Sequence, residues 1–378
     1  MWGDKGRPVP ILLMVRELGS GGIERDITKL AIGLDRRRFT PFVATYQAGG
    51  LRHDDLTKSN IPIVHLPVSS LKSPKTIVTA VQFWRFLKRN RIRLVHAFDS
   101  SGIFGVPLAR FLGVPVILTS TVGHRGLLDQ RTRRQLKLTD YLVDSIVVNC
   151  DAMRSHLTQD FSVPVERIEL CYNGVDTREF YPRQEPKPDP ISDASVVIGT
   201  ICVLRPEKAL EVLQAAFARI RHLDPRMKLL IVGNGPELAL LQENSRALGI
   251  QESSNFVPAT PHVARFLRAI DVFVSSSFSE AFSNSILEAM ACGCCVVASR
   301  VGGTPELIKD EDRGLLFASG NVDELAQKLV RVLQDVALRK KLGTRAAEFA
   351  ANKLNMETAV QRMMGIYETL LCRKNALA

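Results

Sequence analysis

The chain has 378 residues, too many for a single core and suited to two domains, and with 46% hydrophobic against 24% charged residues it can fill both. Its formal charge of +11 is uneven: residues 1–180 hold 26 Lys and Arg against 17 Asp and Glu, giving +9, and residues 181–378 hold only +2. No apolar run nears the roughly 18–20 residues of a membrane span, no cleavage site follows the apolar Val9–Val15, and the seven cysteines suggest no disulfide framework, so the expectation is a cytoplasmic protein without span, leader or staples.

In chain order, the first half alternates apolar strand runs with helical patterns. Strands are expected at Pro10–Val15, Thr40–Tyr46, Ile63–His65, Leu94–Ala97, Val116–Thr119 and Ser145–Val148. After the first strand comes LGSGGIER, Leu18–Arg25. Its glycines suggest a dinucleotide loop, but G-x-G-G is not G-x-G-x-x-G and no acidic residue closes a second strand near Tyr46, which argues against a nicotinamide enzyme. Thr76–Arg93 is a basic helix with Ile77, Val81, Trp84 and Leu87 at helical spacing, followed by Lys88, Arg89, Arg91 and Arg93. It suits a core-facing helix with a solvated end or an anionic membrane surface. His96 and His124 follow strands, where parallel sheets place ligands; His53, His65, His156, His222 and His262 have no such context. Arg131–Lys137 is a second basic cluster. With no binding module and no interleaved aromatics, nucleic acid is not an expected partner.

Tyr181–Asp193, YPRQEPKPDPISD, carries four prolines and reads as a semi-rigid linker. Beyond it, strands are expected at Val196–Val203, Lys228–Val232, Ser254–Val257, Val272–Ser275 and Cys295–Ser299, and a helix at Glu357–Leu371. The alternation predicts an α/β chain of two doubly wound, Rossmann-like domains, residues 1–180 and 194–356 about a linker at 181–193. Leu204–Lys208, LRPEK, and Val232–Pro236, VGNGP, each follow a strand; the glycines of the second suit either a plain turn or a ligand contact. Cys292, Cys294 and Cys295 read as small buried hydrophobes, since no fourth ligand stands at zinc spacing. Asp310-Glu311-Asp312 spells a metal-binding Asp-x-Asp but sits in a charged run and reads as a solvated turn, so no metal is expected.

Residues 275–306, SSSFSEAFSNSILEAMACGCCVVASRVGGTPE, form a strand, loop, helix, strand and glycine turn. The loop Ser279–Asn284 and the turn Gly302–Thr304 fall at the carboxyl edge of a parallel sheet. The N-terminus of the Ser285–Cys292 helix offers N–H groups and a positive dipole end to a phosphate or sugar. Glu280 and Glu288 suit two sets of sugar hydroxyls, because a carboxylate accepts from both hydroxyls of a diol. Gly302 and Gly303 would let the backbone approach a ligand. For Glu288 there is a second reading, a capping box Ser285-x-x-Glu288.

Glu-x7-Glu followed by LEAMACG, VVAS and VGGTPE resembles the donor-site signature of retaining glycosyltransferases of family 4, which have the GT-B fold, and the likeness extends more loosely over nearly the whole chain. The resemblance implies a nucleotide-diphosphate sugar as co-substrate, no other cofactor, and a final segment, 357–378, that packs back on the first domain. It places Glu280 and the backbone of Phe282, Ser283, Asn284 and Ser285 at the sugar, and Glu288 at the ribose diol. The family holds the donor diphosphate with an Arg and a Lys in the LRPEK loop. Lys208 matches; the usual Arg position is Val203 here, leaving Arg205 as substitute. GG-x-E, here Gly21, Gly22 and Glu24, would lie where acceptor and donor phosphate meet, although Glu24 also reads as a plain first-turn charge. His124 matches the histidine that faces the donor sugar.

The function expected is retaining transfer of a hexose to a glycan or lipid-linked acceptor without a metal, at the inner face of an anionic membrane or free of it. A sugar-nucleotide epimerase of the same fold and a nucleotide-sugar-binding pseudoenzyme are the alternatives.

Overall fold

The computed structural model describes residues 7–19, 21–68 and 73–375; the ends of the expected first domain, 1–6 and 376–378, lie outside the described residues, as does Ser20 of LGSGGIER. The chain divides into two compact units: Met1–Gly174 together with Met356–Ala378, and Val175–Asn355.

Unit 1 is built on seven strands: β1 (Val9–Val15), β2 (Phe39–Thr45), β3 (Ile63–His65), β4 (Leu94–Phe98), β5 (Val116–Thr121), β6 (Ser145–Val148) and β7 (Ile168–Leu170). Every pairing is parallel, in the order β3-β2-β1-β4-β5-β6-β7. Unit 2 holds β8 (Val197–Ile201), β9 (Lys228–Val232), β10 (Ser254–Val257), β11 (Val272–Ser275), β12 (Cys295–Ser299) and β13 (Leu315–Phe317), again parallel, in the order β10-β9-β8-β11-β12-β13. Each sheet reverses its winding once, between β1 and β4 in unit 1 and between β8 and β11 in unit 2. The loops leaving those paired strands diverge to opposite sides, and the crevice they leave is where such sheets bind ligands.

The strands are buried on both faces, as parallel strands covered by crossover helices must be: β4, β5, β6, β11 and β12 hold only buried residues. β7 and β13, three residues each, are additions to the expected strands.

Three expectations change. First, the boundary lies at Gly174/Val175 rather than at residue 180. The proline-rich segment 181–193 is part of unit 2, held by the buried Ile191 and by Lys187, whose ammonium donates to the Ala194 and Ser195 carbonyls and to Asp271 Oδ2 at 3.0, 3.2 and 3.2 Å. Second, of the apolar stripe Ile77, Val81, Trp84 and Leu87 on the helix Lys75–Arg89, only Leu87 meets the core. Thr79, Phe83 and Leu87 are its buried residues, and Ile77, Val78, Val81 and Trp84 stand 69%, 59%, 40% and 43% exposed. Aromatic contacts fix that rotation: Phe83 packs on Phe104 and Phe86 meets Phe42 edge-on. Third, the helix over the donor-site signature is Asn284–Ala291, capped by Ser283, whose hydroxyl accepts from the Ile286 N–H. Glu288 is its fifth residue, too deep to cap it, so the capping-box reading of Ser285 and Glu288 falls.

The last helix, Met356–Arg373, belongs to unit 1 and buries Val360, Met363, Met364, Ile366, Tyr367, Leu370 and Leu371 in the core that also contains Ile11, Leu13 and Phe39. Tyr367 hydroxyl and Ser120 Oγ hydrogen-bond the two ring nitrogens of His96 at 2.7 and 2.8 Å. His96 is fully buried, and burial pushes its pKa down to about 3, so the ring is a neutral tie between strand and helix rather than an exposed ligand.

Candidate active site

In unit 2 the reversal point brings together the loops after β8 and β11. Ser276 Oγ donates to the Lys208 carbonyl at 3.0 Å, and the Phe278 N–H donates to the Glu207 carbonyl at 2.8 Å. These bonds seat one loop on the other. They leave Lys208 Nζ 2.5 Å from Glu280 Oε1, which also accepts from Ser277 Oγ at 2.8 Å. The pair is largely withdrawn from solvent, the side chains 22% and 11% exposed. Burial works to lower the Lys208 pKa, but the Glu280 carboxylate outweighs it and holds the ammonium above its ordinary value. Both hydrogen bonds end on Oε1, and Glu280 Oε2 accepts none from the described residues. A polar hollow beside them is lined by Thr200, Lys208, Ser277, Glu280, Ser283 and Ser285.

The glycine turn after β12 closes this loop from the other side. Gly302 has φ +48°, and a Cβ there would collide with the backbone oxygen of Glu280. The Gly303 N–H donates to the Ala281 carbonyl at 2.8 Å. The close approach that demands glycine at 302 is therefore that of the protein's own Glu280 loop. VGNGP behaves the same way: a Cβ at Gly233 or Gly235 would strike the backbone of residues 202–204, and the Leu204 N–H donates to the Asn234 carbonyl at 2.9 Å. That turn buttresses the Lys208 loop.

Phe282 and Ser283 are buried, whereas Asn284 and Ser285 are half-buried at the helix N-terminus. Glu288 is 5% exposed. Arg205, the proposed substitute cation, is 61% exposed at its side chain and stands 3.8 Å from Glu207 Oε1; Val203 is 46% exposed. Lys208 thus lies in the hollow and Arg205 on its surface side. Each acid of Asp310-Glu311-Asp312 has its own arginine, Arg300, Arg331 and Arg345 at 3.1, 2.6 and 2.7 Å, which makes the run a structural turn. Burial pushes the Cys292 and Cys295 thiols up to about 12, in keeping with packed hydrophobes.

In unit 1 the reversal point joins the loops after β1 and β4. Gly21 caps the helix Gly22–Gly33, and Glu24 sits in its first turn, its carboxyl raised chiefly by burial. Across from it is Asp99, with φ +47°, a left-handed conformation costly for a non-glycine residue. Burial pushes its pKa up to about 6, opposed by the Val122 N–H and by Arg125 and aided by Glu24. Sequence reading missed Asp99, and nothing in the bare sequence announces the backbone strain.

His124 is partly exposed. Its Nδ1 accepts from the Gly126 N–H at 3.2 Å, and its ring stacks on that of His156 at 3.7 Å. Burial, then His156, lowers its pKa. His156 Nδ1 lies 2.6 Å from Asp160 Oδ2, so the helix Asp151–Phe161 gives His156 a context that spacing did not show. One ligand atom each of His124, His156 and Asp160 lie within 4.8 Å of one another, a grouping able to take a metal ion. Arg125, 2% exposed, bonds both oxygens of Asp140 at 2.6 and 2.9 Å. This pair was also missed, since the partners are far apart in sequence and both look like surface charges.

Two family models match the chain: glycosyl transferases group 1 over residues 183–349 and glycosyltransferase family 4 over residues 20–179. The chain is 31% identical over 217 residues to N-acetyl-alpha-D-glucosaminyl L-malate synthase of Bacillus anthracis, covering 57% of each. It is 29% identical over 308 residues to D-inositol 3-phosphate glycosyltransferase of Segniliparus rotundus, covering 78% of this chain and 65% of that one. The matched stretch thus spans less than two thirds of either relative. Among solved structures, a glycosyltransferase from Rickettsia africae superposes with a TM-score of 0.83 at 22% identity, covering 96% and 99% of the two chains. HepE of Anabaena in complex with UDP-glucose superposes with a TM-score of 0.84 at 19% identity, covering 95% and 99%. These likenesses establish the fold as GT-B.

Proposed function

This chain belongs to the group 1 and family 4 glycosyltransferases, and we propose that it transfers a hexose, with retention, from a nucleotide-diphosphate sugar to a glycan or lipid-linked acceptor. The observation that carries the reading is the Lys208–Glu280 pair at the reversal point of the second sheet, beside the N-terminus of the Asn284–Ala291 helix. A half-buried ammonium with a raised pKa stays charged at neutral pH, as neutralising a departing diphosphate requires. Glu280 does two things: through Oε1 it fixes the ammonium, and through Oε2 it accepts hydroxyls of the sugar. Glu288 takes the ribose diol, and the N–H groups at Asn284 and Ser285 take what the cation does not. The complex of HepE with UDP-glucose supports a donor of this class.

In the step proposed, an acceptor hydroxyl attacks the anomeric carbon on the face from which the diphosphate leaves. The bond from that carbon to the phosphate oxygen breaks, the new glycosidic bond forms, and the acceptor's proton passes to the leaving phosphate. Gly21, Gly22 and Glu24 border the acceptor, and His124 faces the sugar. No metal is required, since Lys208 and the helix end supply the positive charge. In this reading the transfer takes place on the cytoplasmic side, with an acceptor that is either a glycan or a lipid-linked sugar at an anionic membrane surface.

The test is incubation with a panel of nucleotide sugars, reading free nucleotide and the anomeric configuration of the product by NMR. Nucleotide release with a retained anomer supports the reading. Release with inversion overturns the stereochemistry, a change in the sugar without release points to an epimerase, and binding without turnover points to a pseudoenzyme.

A further inference from the structure

The exposed face of the helix Lys75–Arg89 has no use in the chemistry above. At 100° per residue, Trp84, Ile77, Val81 and Val78 fall within an arc of about 120°, and all four are exposed. Arg85 and Lys88 lie within that arc and Arg89 at its edge, while Lys75 stands at the start of the helix toward the packed side; all four are exposed. The helix has no acidic residue. Its rotation is fixed from the other side by Phe83 on Phe104, by Phe86 on Phe42 and by Thr79 Oγ1, which donates to the Pro67 carbonyl at 2.8 Å. The apolar stripe therefore points outward because the core holds the helix that way, at the expense of solvating Ile77 and Trp84.

We propose that this face docks unit 1 on an anionic lipid bilayer, with Ile77, Val78, Val81 and Trp84 entering the interface and Arg85, Lys88 and Arg89 meeting lipid phosphates. Interfacial helices place their apolar side chains about 5–10 Å into the boundary between headgroup and acyl chain, where cations set among them meet phosphate. Trp is suited to that depth, apolar in its ring and polar at its N–H. The charge supports the same occupant. Residues 1–180 carry +9 of the net +11, while the edge of the unit 1 sheet, with Glu24 and Asp99, is acidic, so the basic excess lies elsewhere on the unit. A protein partner would have to bring both an apolar groove and several carboxylates; a bilayer containing anionic lipid brings both as a matter of composition. A lipid-linked acceptor gives such a surface its use, so docking rests on the acceptor proposed above.

The experiment is sedimentation of the full chain with phosphatidylcholine vesicles, with and without phosphatidylglycerol, over a range of salt. A Trp2→Phe background leaves Trp84 as the sole indole. Bound protein should rise with anionic lipid and fall with salt, and Trp84 emission should shift to the blue on anionic vesicles alone. Changing Arg85, Lys88 and Arg89 to Gln should weaken partitioning by roughly five-fold for each cation removed. Ile77→Ser with Trp84→Ser should abolish the binding that remains at high salt. All these positions are exposed, and a thermal melt checks that the variants stay folded. Equal partitioning on neutral and anionic vesicles, an unshifted Trp84, or variants that bind as the parent does would overturn docking. Nucleotide release, measured on the same proteins, separates the two ideas. Release without vesicle binding removes the membrane and leaves transfer standing; vesicle binding without release does the reverse.

Discussion

The two sheets share one topology around their reversal points, yet the loops there carry opposite chemistry. In unit 2 the crevice holds a half-buried cation tied to a carboxylate, two serine hydroxyls and a helix N-terminus. In unit 1 it holds two carboxyls, Glu24 and Asp99, both pushed up by burial, the second strained as well. The sheet supplies only an edge at which strands end and N–H groups converge. The loops decide whether that edge meets an anion or presents acceptors to hydroxyls. In the proposed transfer the first would meet the diphosphate leaving group and the second the hydroxyls of an acceptor.

The sharpest way to break this contrast is to remove the cation. Lys208→Ala should lower turnover by about 10²–10³-fold, the usual loss of a preorganised charge at a developing anion, because Glu280 would then also face the diphosphate without its partner. Glu280→Ala should cost more than Glu288→Ala, since Glu280 both holds Lys208 and reaches the sugar. The Lys208 and Glu280 losses should fall short of additive in a double-mutant cycle, because each residue holds the other. Rates near the parent's in Lys208→Ala would sink the assignment of unit 2 as the anion side.

A smaller effect is expected on the stability of unit 1 alone. Tyr367→Phe removes the hydroxyl on His96 Nδ1 and leaves a buried ring nitrogen without a partner, which costs about 1–3 kcal/mol. Denaturant melts should show that loss while calorimetry finds nucleotide affinity unchanged. Altered affinity would mean that the tie acts on the donor side as well.

Asp99 gives the acid side its own pH signature. Its folded pKa, about 6, lies above the ordinary value of 3.8, so the folded state holds that proton more tightly than the unfolded one. Stability from this group is present below the unfolded pKa and is lost as pH rises through about 6. Asp99→Asn, which keeps the shape and tolerates a left-handed backbone, should therefore stabilise unit 1 by about 1–2 kcal/mol at neutral pH and by almost nothing near pH 4. A gain that does not change with pH would show that relief of strain, rather than charge, is responsible.

How far these features could be read from the sequence depends on how local they are. The donor-side loop, helix and glycine turn follow one another within 275–306, so periodicity and spacing revealed them. Most strands, the three-residue β3 included, announced themselves by apolar runs, whereas β7 and β13 did not stand out from their flanks. The reason for Gly302 was hidden: the sequence shows a glycine that could admit something, and only the fold shows that this is the Glu280 carbonyl. The face of the helix Lys75–Arg89 stayed open between two readings because apolar spacing reports a stripe but not which way it turns. Phe83 and Phe86, on the other side, won by size and by aromatic contact. Arg125 with Asp140 and His96 with Tyr367 join residues 15 and 271 apart, and no window of sequence joins them.

The smallest effect sharpens the donor side. Arg205 is the expected substitute for the arginine that the resemblance places at Val203, but its side chain is 61% exposed and the carboxylate of Glu207 is 3.8 Å away. An exposed charge acts through a high dielectric and is screened by salt, so its pull on a phosphate is a fraction of that of the more enclosed Lys208. Arg205→Ala should weaken nucleotide-diphosphate binding by about two- to five-fold, the worth of an exposed ion pair, and the loss should fade as salt rises. The loss from Lys208→Ala should persist in the same salt series, because its ammonium is withdrawn from solvent. Calorimetry on both variants across that series decides the matter. If Arg205→Ala matches Lys208→Ala in size and in salt dependence, the arginine folds into the hollow when nucleotide arrives, and the cationic side of the contrast has two members instead of one.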